Sequence, residues 1–354
     1  MKNLKMLICK SLATCAALAM VMGTENTTHA EANVASAGAP ANTTYAGDLK
    51  VASYNVYMLS RNLYPNWGQV QRADLIAKAP FMESNDVIIF NEAFDNGASD
   101  KLLSNFKGKY PNQTPVLGRS TSGWDKTSGS YSSTVIEDGG VAIVSKYPIE
   151  TKEQHVYKNG CGADYHSNKG FVYAKINKDG KNIHVFGTHT QADDSSCSTG
   201  QAKDIRTSQF KELEQFIKEK KIPKEDLVLI GGDLNVNKNA TQNGTGTAGT
   251  DSEYSQMLST LNVKEPSYQG HTSTWDPKTN SIAKYYYPDL APEYLDYVFV
   301  SKDHAQPTTW YNNALNQQSQ QWSVTAYFKQ YTYNDYSDHY PVIAGTGTPM
   351  ATTK

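Results

Sequence analysis

Short apolar runs of strand length recur through this chain, and five of them carry polar residues that the interior of a sheet has no ordinary use for. The run at 50–58 is interrupted by Asn55, and the run at 87–90 leads directly into Asn91-Glu92. Residues 183–186 lead into Thr188-His189-Thr190, and residues 227–230 into Gly231-Gly232-Asp233-Leu234-Asn235. Ser337-Asp338-His339 stands just before a last run at 341–344. A strand end delivers its side chains to one rim of a sheet, so these segments can build a single polar site on a rigid scaffold. Any one of them alone reads as a solvated turn. Five together, each in or beside a strand, do not.

The remaining pattern sets the architecture. Further strand-like runs occupy 141–144, 171–176 and 297–300, and Asp179-Gly180 joins two of the runs as a hairpin turn. Ala202, Ile205, Phe210, Leu213, Phe216 and Ile217 share one face of a helix that Pro223 ends. Shorter helices are expected at 70–79, before Pro80, and at 100–106. Strands outnumber helices without regular βαβ alternation, which predicts an α+β fold of two stacked mixed sheets with helices on the outer faces. One catalytic domain is expected over 48–348, followed by a short tail at 349–354. Residues 31–47, rich in Ala, Asn, Thr and Gly, read as a disordered lead-in, and the Asn/Gly/Thr-rich stretch 237–250 as a flexible loop.

Residues 1–30 read as an export signal. Lys2 and Lys5 precede an apolar stretch at 11–22, and Thr28-His29-Ala30 offers a cleavage site, with Ala35-Ser36-Ala37 as a second possibility. The stretch is shorter than the roughly 20 residues a membrane span needs. The mature protein is expected to be secreted. Cys9 and Cys15 leave with the signal, and Cys161 and Cys197, flanked by Gly and Ser, read as one loop-tying disulfide, with two free thiols as the alternative. Losing Lys2, Lys5, Lys10 and Glu25 moves the formal charge from −2 to −4. That argues against a nucleic-acid substrate, whose phosphates call for clustered Lys and Arg.

The residue types at the strand ends point to phosphoryl chemistry. Glu92 and Asn55 offer hard oxygen ligands that suit Mg²⁺, although Mn²⁺ or Co²⁺ could substitute. His339 suits a general base for water, and Asp296, where the strand at 297–300 begins, is the candidate to orient it. Asp233 and Asn235 are two apart, so on extended backbone they would face the same way and flank a phosphate. Asp233 would hold His339 or the attacking water, and Asn235 would donate to a phosphoryl oxygen. His189 is a second imidazole for the transition-state charge or the leaving group.

The ordered set Asn55, Asn91-Glu92, Gly187-Thr188-His189, Gly232-Asp233-Leu234-Asn235, Leu295-Asp296-Tyr297 and Ser337-Asp338-His339 resembles the endonuclease/exonuclease/phosphatase superfamily. Longer stretches at 53–55, 139–148, 187–191 with Cys197 beyond, 231–238, 280–284 and 331–341 resemble the bacterial neutral sphingomyelinases of the beta-toxin type. The likeness runs over residues 48–345. It implies the fold of deoxyribonuclease I, a four-layer α/β/β/α sandwich, and Mg²⁺-dependent hydrolysis of sphingomyelin to ceramide and phosphocholine by a haemolytic enzyme. It also implies a central ion on Glu92 with Asn55 nearby, His339 as base, and Asp233, Asn235 and His189 around the phosphate. Asp338 would act beside His339, a peripheral metal would lie near Asn96, Glu137 and Asp138, and Cys161–Cys197 would be the family disulfide.

The partner so implied is sphingomyelin in an outer membrane leaflet, met by a monomer in peripheral contact. The aromatic-rich stretch 321–336 supports that expectation, with Trp322, Tyr327 and Phe328 as membrane-contact candidates on a strand pair. Tyr327 stands where relatives often carry Trp. Tyr285-Tyr286-Tyr287, Trp275 and Tyr294 are candidates to line a choline pocket. The alternative function on the same scaffold is a secreted nuclease of the deoxyribonuclease I type.

Overall fold

The structure, a computed structural model, describes residues 43–240 and 252–348. The expected signal at 1–30, most of the lead-in, most of the loop at 237–250 and the tail at 349–354 lie outside the described residues. The end of the expected disordered lead-in is instead ordered. Thr44–Tyr45 pairs in parallel with Gln306–Pro307, and the Tyr45 ring is buried, which offsets the entropy of fixing this short segment.

Two seven-stranded mixed sheets form the body of the fold. The first runs in the order Val263–Lys264, Asp296–Ser301, Leu227–Asp233, Lys181–His189, Gly170–Lys178, Ile149–Val156, Lys126–Gly129. The second runs Ser267–Gly270, Tyr311–Ala314, Val342–Gly345, Lys50–Asn55, Val87–Asn91, Ala142–Ser145, Asn112–Gln113. The two-residue side-chain period of a strand sorts each run into two faces. Val51, Val87, Ile89 and Ile143 of the second sheet pack with Val172, Val185, Leu229 and Val298 of the first in one core between the sheets. Their neighbours Tyr54, Ile88, Phe90 and Val144 face outward onto Ala73 and Ile76 of the Gln69–Ala77 helix and Leu102 and Phe106 of the Asn96–Phe106 helix. Phe171, Phe186, Val228 and Phe299 likewise pack on Phe210, Leu213 and Ile217 of the Gln201–Lys220 helix. Helix, sheet, sheet, helix is the layer order that this parity dictates.

Elements that the sequence pattern did not announce have physical reasons. The Ile149–Val156 strand reads IETKEQHV, too polar for a strand signal, because only part of it is buried. It is held by its ladder to Gly170–Lys178. The Asn96–Phe106 helix begins one turn before residue 100 because the Asp95 side chain accepts the Ala98 N–H as an N-cap. A Glu253–Thr260 helix, capped by Ser252, closes over the Tyr254–Met257 face against the first sheet.

Cys161 and Cys197 form a disulfide with a Cα–Cα separation of 5.5 Å across 36 residues. It ties the segment before Gly162–His166 to the loop that leads into the long helix. Replacing both cysteines by serine is expected to lower the unfolding free energy by about 4 kcal/mol in the chain-entropy account. Urea denaturation of the two forms measures this, and an unchanged midpoint would mean that the bond gives no net stabilisation through the unfolded chain.

Candidate active site

The inward-facing parity that fills the core continues to the rim of both sheets. In the first sheet Asp233 stands in register with His189 on one side and Asp296 on the other. In the second, Asn55 stands in register with Asn91. All five therefore extend the rows that bury Val185, Leu229, Val298, Val51 and Ile89. The sheets come close here because Gly187 and Gly231 carry no side chain. A Cβ on either would lie 2.8 or 2.9 Å from the Ile89 side chain. Polar side chains then span the gap. Asn55 Nδ2 donates to Asp233 Oδ2 at 2.9 Å and to Glu92 Oε1 at 2.9 Å. Asn91 Nδ2 donates to Thr188 O at 2.8 Å, and its Oδ1 accepts the Asp233 N–H at 3.2 Å.

His339 arrives just before the Val342–Gly345 strand and pairs by backbone register with Trp275. Its Nδ1 lies 2.8 Å from Asp296 Oδ2, and its Nε2 lies 3.8 Å from Asp233 Oδ2. Asp296 is thus the group that orients the ring, and Asp233 stands across the open side. Ser337 Oγ donates to Asn55 O at 2.7 Å, which ties the loop of Asp338 and His339 to the second sheet. His189 Nε2 lies 3.8 Å from Glu92 Oε1 and 3.7 Å from Asp233 Oδ2. Asn235 departs from the expected geometry. The strand ends at Asp233, and Asn235 has φ 50°, left-handed rather than extended. Its N–H bonds Asp233 Oδ1, and its Nδ2 donates to Thr190 O at 3.1 Å. It still lies beside the site, though not by strand alternation.

The charges are out of balance. Burial, with Asp338 and Asp233 nearby, pushes the Glu92 carboxyl from 4.5 to about 8, against the Asn55 hydrogen bond and His339. Burial and Asp296 push Asp233 from 3.8 to about 6. Burial alone would lower His339, but Asp296, Asp338 and Asp233 together hold it well above its usual value. His189 goes the other way, held well below by burial and by the cations Lys169 and His339. Glu92 Oε2 is buried without a hydrogen-bond partner among the described residues. An over-acidic cradle rich in carboxylate oxygens, one of them orphaned, fits a hard divalent cation. Glu92, His189 and Asp233 form one group of close ligand atoms, Asp233, Asp296 and His339 another, and Asp233 is common to both.

The endonuclease/exonuclease/phosphatase family pattern matches residues 52–339, which include Asn55, Glu92, Asp233, Asp296 and His339. The chain belongs to the endonuclease/exonuclease/phosphatase family. Within that family it is 61% identical over 297 residues to a phospholipase C of Staphylococcus aureus, covering 84% of this chain and 87% of the relative. A sphingomyelinase C of Bacillus cereus is 58% identical over 310 residues, covering 87% and 92%. A crystal structure of Staphylococcus aureus beta toxin with bound magnesium ions superposes with a TM-score of 0.81 at 60% identity, covering 85% of this chain and all of that one.

Two buried cations at this family site carry no sequence signal. Lys169 Nζ donates to Asp164 Oδ2 at 2.8 Å, to Thr190 O at 3.2 Å and to His189 Nε2 at 3.3 Å. Arg72 is fully buried and donates to the carbonyls of Trp67, Val56, Tyr57 and Tyr336. It clamps the backbone just beyond Asn55 to the backbone just before Asp338. Both sit in unremarkable surroundings in the sequence, so only a signal of burial could have found them.

Away from the centre, Asn96, Glu137 and Asp138 do line one cavity, of about 460 Å³. Asp138 is already committed, to Arg119 Nε at 2.9 Å and to the Gly140 N–H at 2.9 Å. Burial outweighs Arg119 and pushes its carboxyl to about 7. The aromatic hairpin pairs Trp322–Ala326 with Lys329–Tyr333, and its two-residue turn is Tyr327-Phe328, both left-handed at φ 51° and 57°. Phe328 is fully exposed and Tyr327 is 61% exposed. Trp322, expected with them, is not exposed at the tip. It lies at the base of the hairpin, 5% exposed, with its ring 5.0 Å from that of Tyr333 and its Nε1 donating to Asp335 O. The proposed choline aromatics also separate. Tyr294 is buried against Tyr268 and Tyr297, and Tyr285 and Tyr286 pack edge-on against Trp67, while Tyr287 meets Trp275.

Proposed function

We propose that this protein is a secreted phosphodiesterase that hydrolyses sphingomyelin to ceramide and phosphocholine with a magnesium ion. The observation that supports this best is the contact chain Glu92–Asn55–Asp233 across the sheet gap, with the Asp296-oriented His339 facing Asp233, in a chain so similar to sphingomyelinase C. Glu92, with Asn55 beside it, would hold the ion, which when bound neutralises charge on the phosphoryl oxygens and the departing alkoxide. With the surrounding carboxylates offset by the ion, His339 would stand neutral, and its Nε2 takes a proton from water as the new P–O bond forms, while the ceramide oxygen leaves with the electrons of the bond that breaks. Asp296 stabilises the imidazolium that results. Asn235 has a second N–H for a phosphoryl oxygen, and neutral His189 lies alongside Glu92 and Asp233.

The reading is tested by phosphocholine release from sphingomyelin vesicles with and without EDTA. Release that persists in EDTA would sink the metal-dependent reading, and cleavage of plasmid without lipid hydrolysis would favour the nuclease. No helix among the described residues is long and apolar enough to cross a membrane. Contact with the bilayer is assigned to the hairpin turn, where Phe328 and Tyr327 stand in water beside exposed Leu63. Tyr327 Oη donates to Leu63 O at 3.1 Å, so the turn is braced against that loop. Burying a phenyl ring is worth roughly 1.5–3 kcal/mol. Phe328→Ser is therefore expected to weaken vesicle partitioning at least tenfold while leaving turnover of a soluble substrate unchanged; co-sedimentation with vesicles measures the first.

A further inference from the structure

The backbone register places a headgroup reader beside the general base. Trp275 is bridged antiparallel to His339 on one side and to Glu293 on the other. Residues directly opposed across antiparallel strands direct their side chains to the same face. Imidazole, indole and carboxylate therefore follow one another in a row. The Trp275–Glu293 pair is hydrogen-bonded in both directions, at 3.0 and 2.8 Å. The Tyr340 N–H donates to Thr274 O at 2.6 Å, which makes Trp275–His339 the narrow, non-hydrogen-bonded type of pair whose side chains come closest. Tyr287 closes the row from the end of the Ser281–Tyr286 helix. Its ring is 5.7 Å from the Trp275 ring at 60°, and it is 41% exposed.

We infer that Trp275, Tyr287 and Glu293 form the subsite that selects a quaternary ammonium two carbons away from the phosphate under attack. This rests on the phosphodiesterase reading above and adds the basis of its headgroup choice. Two methylene groups separate the ester oxygen from the ammonium of choline, a reach comparable with one interstrand spacing of about 4.8 Å. A phosphate held at His339 thus puts the cation over the next strand, where the half-exposed Tyr287 ring stands against the edge of a Trp275 indole that is 8% exposed and backed by Ala283 and Leu295. Such faces attract a cation that has no N–H to donate, and a primary ammonium gains less because water competes for it. Glu293 supplies the opposing charge. The one hydrogen bond to its carboxylate from a described residue is a long one from Asn237 Nδ2, at 3.4 Å. Burial and Asp193 raise this carboxyl while His339 lowers it, so it lies within electrostatic reach of the base.

The test is equilibrium binding, by calorimetry with Mg²⁺ present, of phosphocholine, phosphoethanolamine and methyl phosphate to the mature protein and two variants. Tyr287→Leu is expected to weaken phosphocholine about fivefold or more and phosphoethanolamine less than twofold. Glu293→Gln should weaken both cationic ligands about fivefold and leave methyl phosphate unchanged or tighter. Equal weakening of all three ligands, or none, overturns the subsite. Vesicle assays on sphingomyelin and its ethanolamine analogue separate the two readings. Binding preference without hydrolysis by the wild type removes the enzyme reading and keeps the subsite. Hydrolysis whose choline preference survives both substitutions removes the subsite and keeps the enzyme.

Discussion

Replacing His339 with asparagine is expected to lower kcat on sphingomyelin by about 10³-fold, within the range that general-base catalysis contributes. The amide can keep a hydrogen bond toward Asp296, now 2.8 Å from Nδ1, so the surrounding geometry should persist and KM should move little. What is lost is an atom able to take the proton of the attacking water while facing Asp233. Asp296→Asn should cost less, because the imidazole remains and only its tautomer and the stabilisation of the imidazolium are disturbed. Single-turnover assays on both variants, with circular dichroism to verify folding, measure the effect. Asparagine at 339 with turnover within tenfold of wild type would falsify the assignment of the base.

Much of the candidate site was legible in the sequence because its polar residues stand in or directly beside apolar strand runs. Asn55 interrupts one strand run, Asp233 follows the run at 227–230 and Asp296 precedes the one at 297–300, and all three are buried. The sheet layers were legible for the same reason, since the runs at 87–90, 183–186 and 227–230 are apolar enough to be buried on both faces. Lys169 and Arg72 were not, because a buried cation satisfied by carbonyls and one carboxylate looks in sequence like any surface base. Trp322 misled because an aromatic-rich hairpin has a base as well as a tip. Pairing with Tyr333 at the far end of the ladder, rather than composition, decides which rings meet water. Asn235 misled because alternation was carried two residues past Asp233, where the chain had already left the strand.

Removing the metal should make stability fall as pH rises from about 5 to about 8. Glu92 and Asp233 are raised to about 8 and about 6, Asp338 is also raised, chiefly by burial, and His339 is held well above its usual value. All four shifts have one sign, opposed in this site only by His189, which burial, Lys169 and His339 hold well below its usual value, so on balance the folded site holds protons more tightly than the unfolded chain does. Their contribution is fully present below the ordinary values of these groups and is lost as pH climbs through the raised ones. The cause is too much buried negative charge around one imidazole, so a divalent cation and protons compete to neutralise it. Magnesium binding near pH 7 should therefore release protons, and the thermal stabilisation it gives should grow with pH. Glu92→Gln removes one of the competing charges. The variant should need more Mg²⁺ for turnover and should lose less stability in EDTA between pH 5 and 8 than the wild type does. Taking the difference between the two proteins at each pH cancels titration elsewhere in the chain. Melting curves in EDTA and in saturating Mg²⁺ supply that difference, and a magnesium effect independent of pH would show that these carboxylates are not where the ion binds.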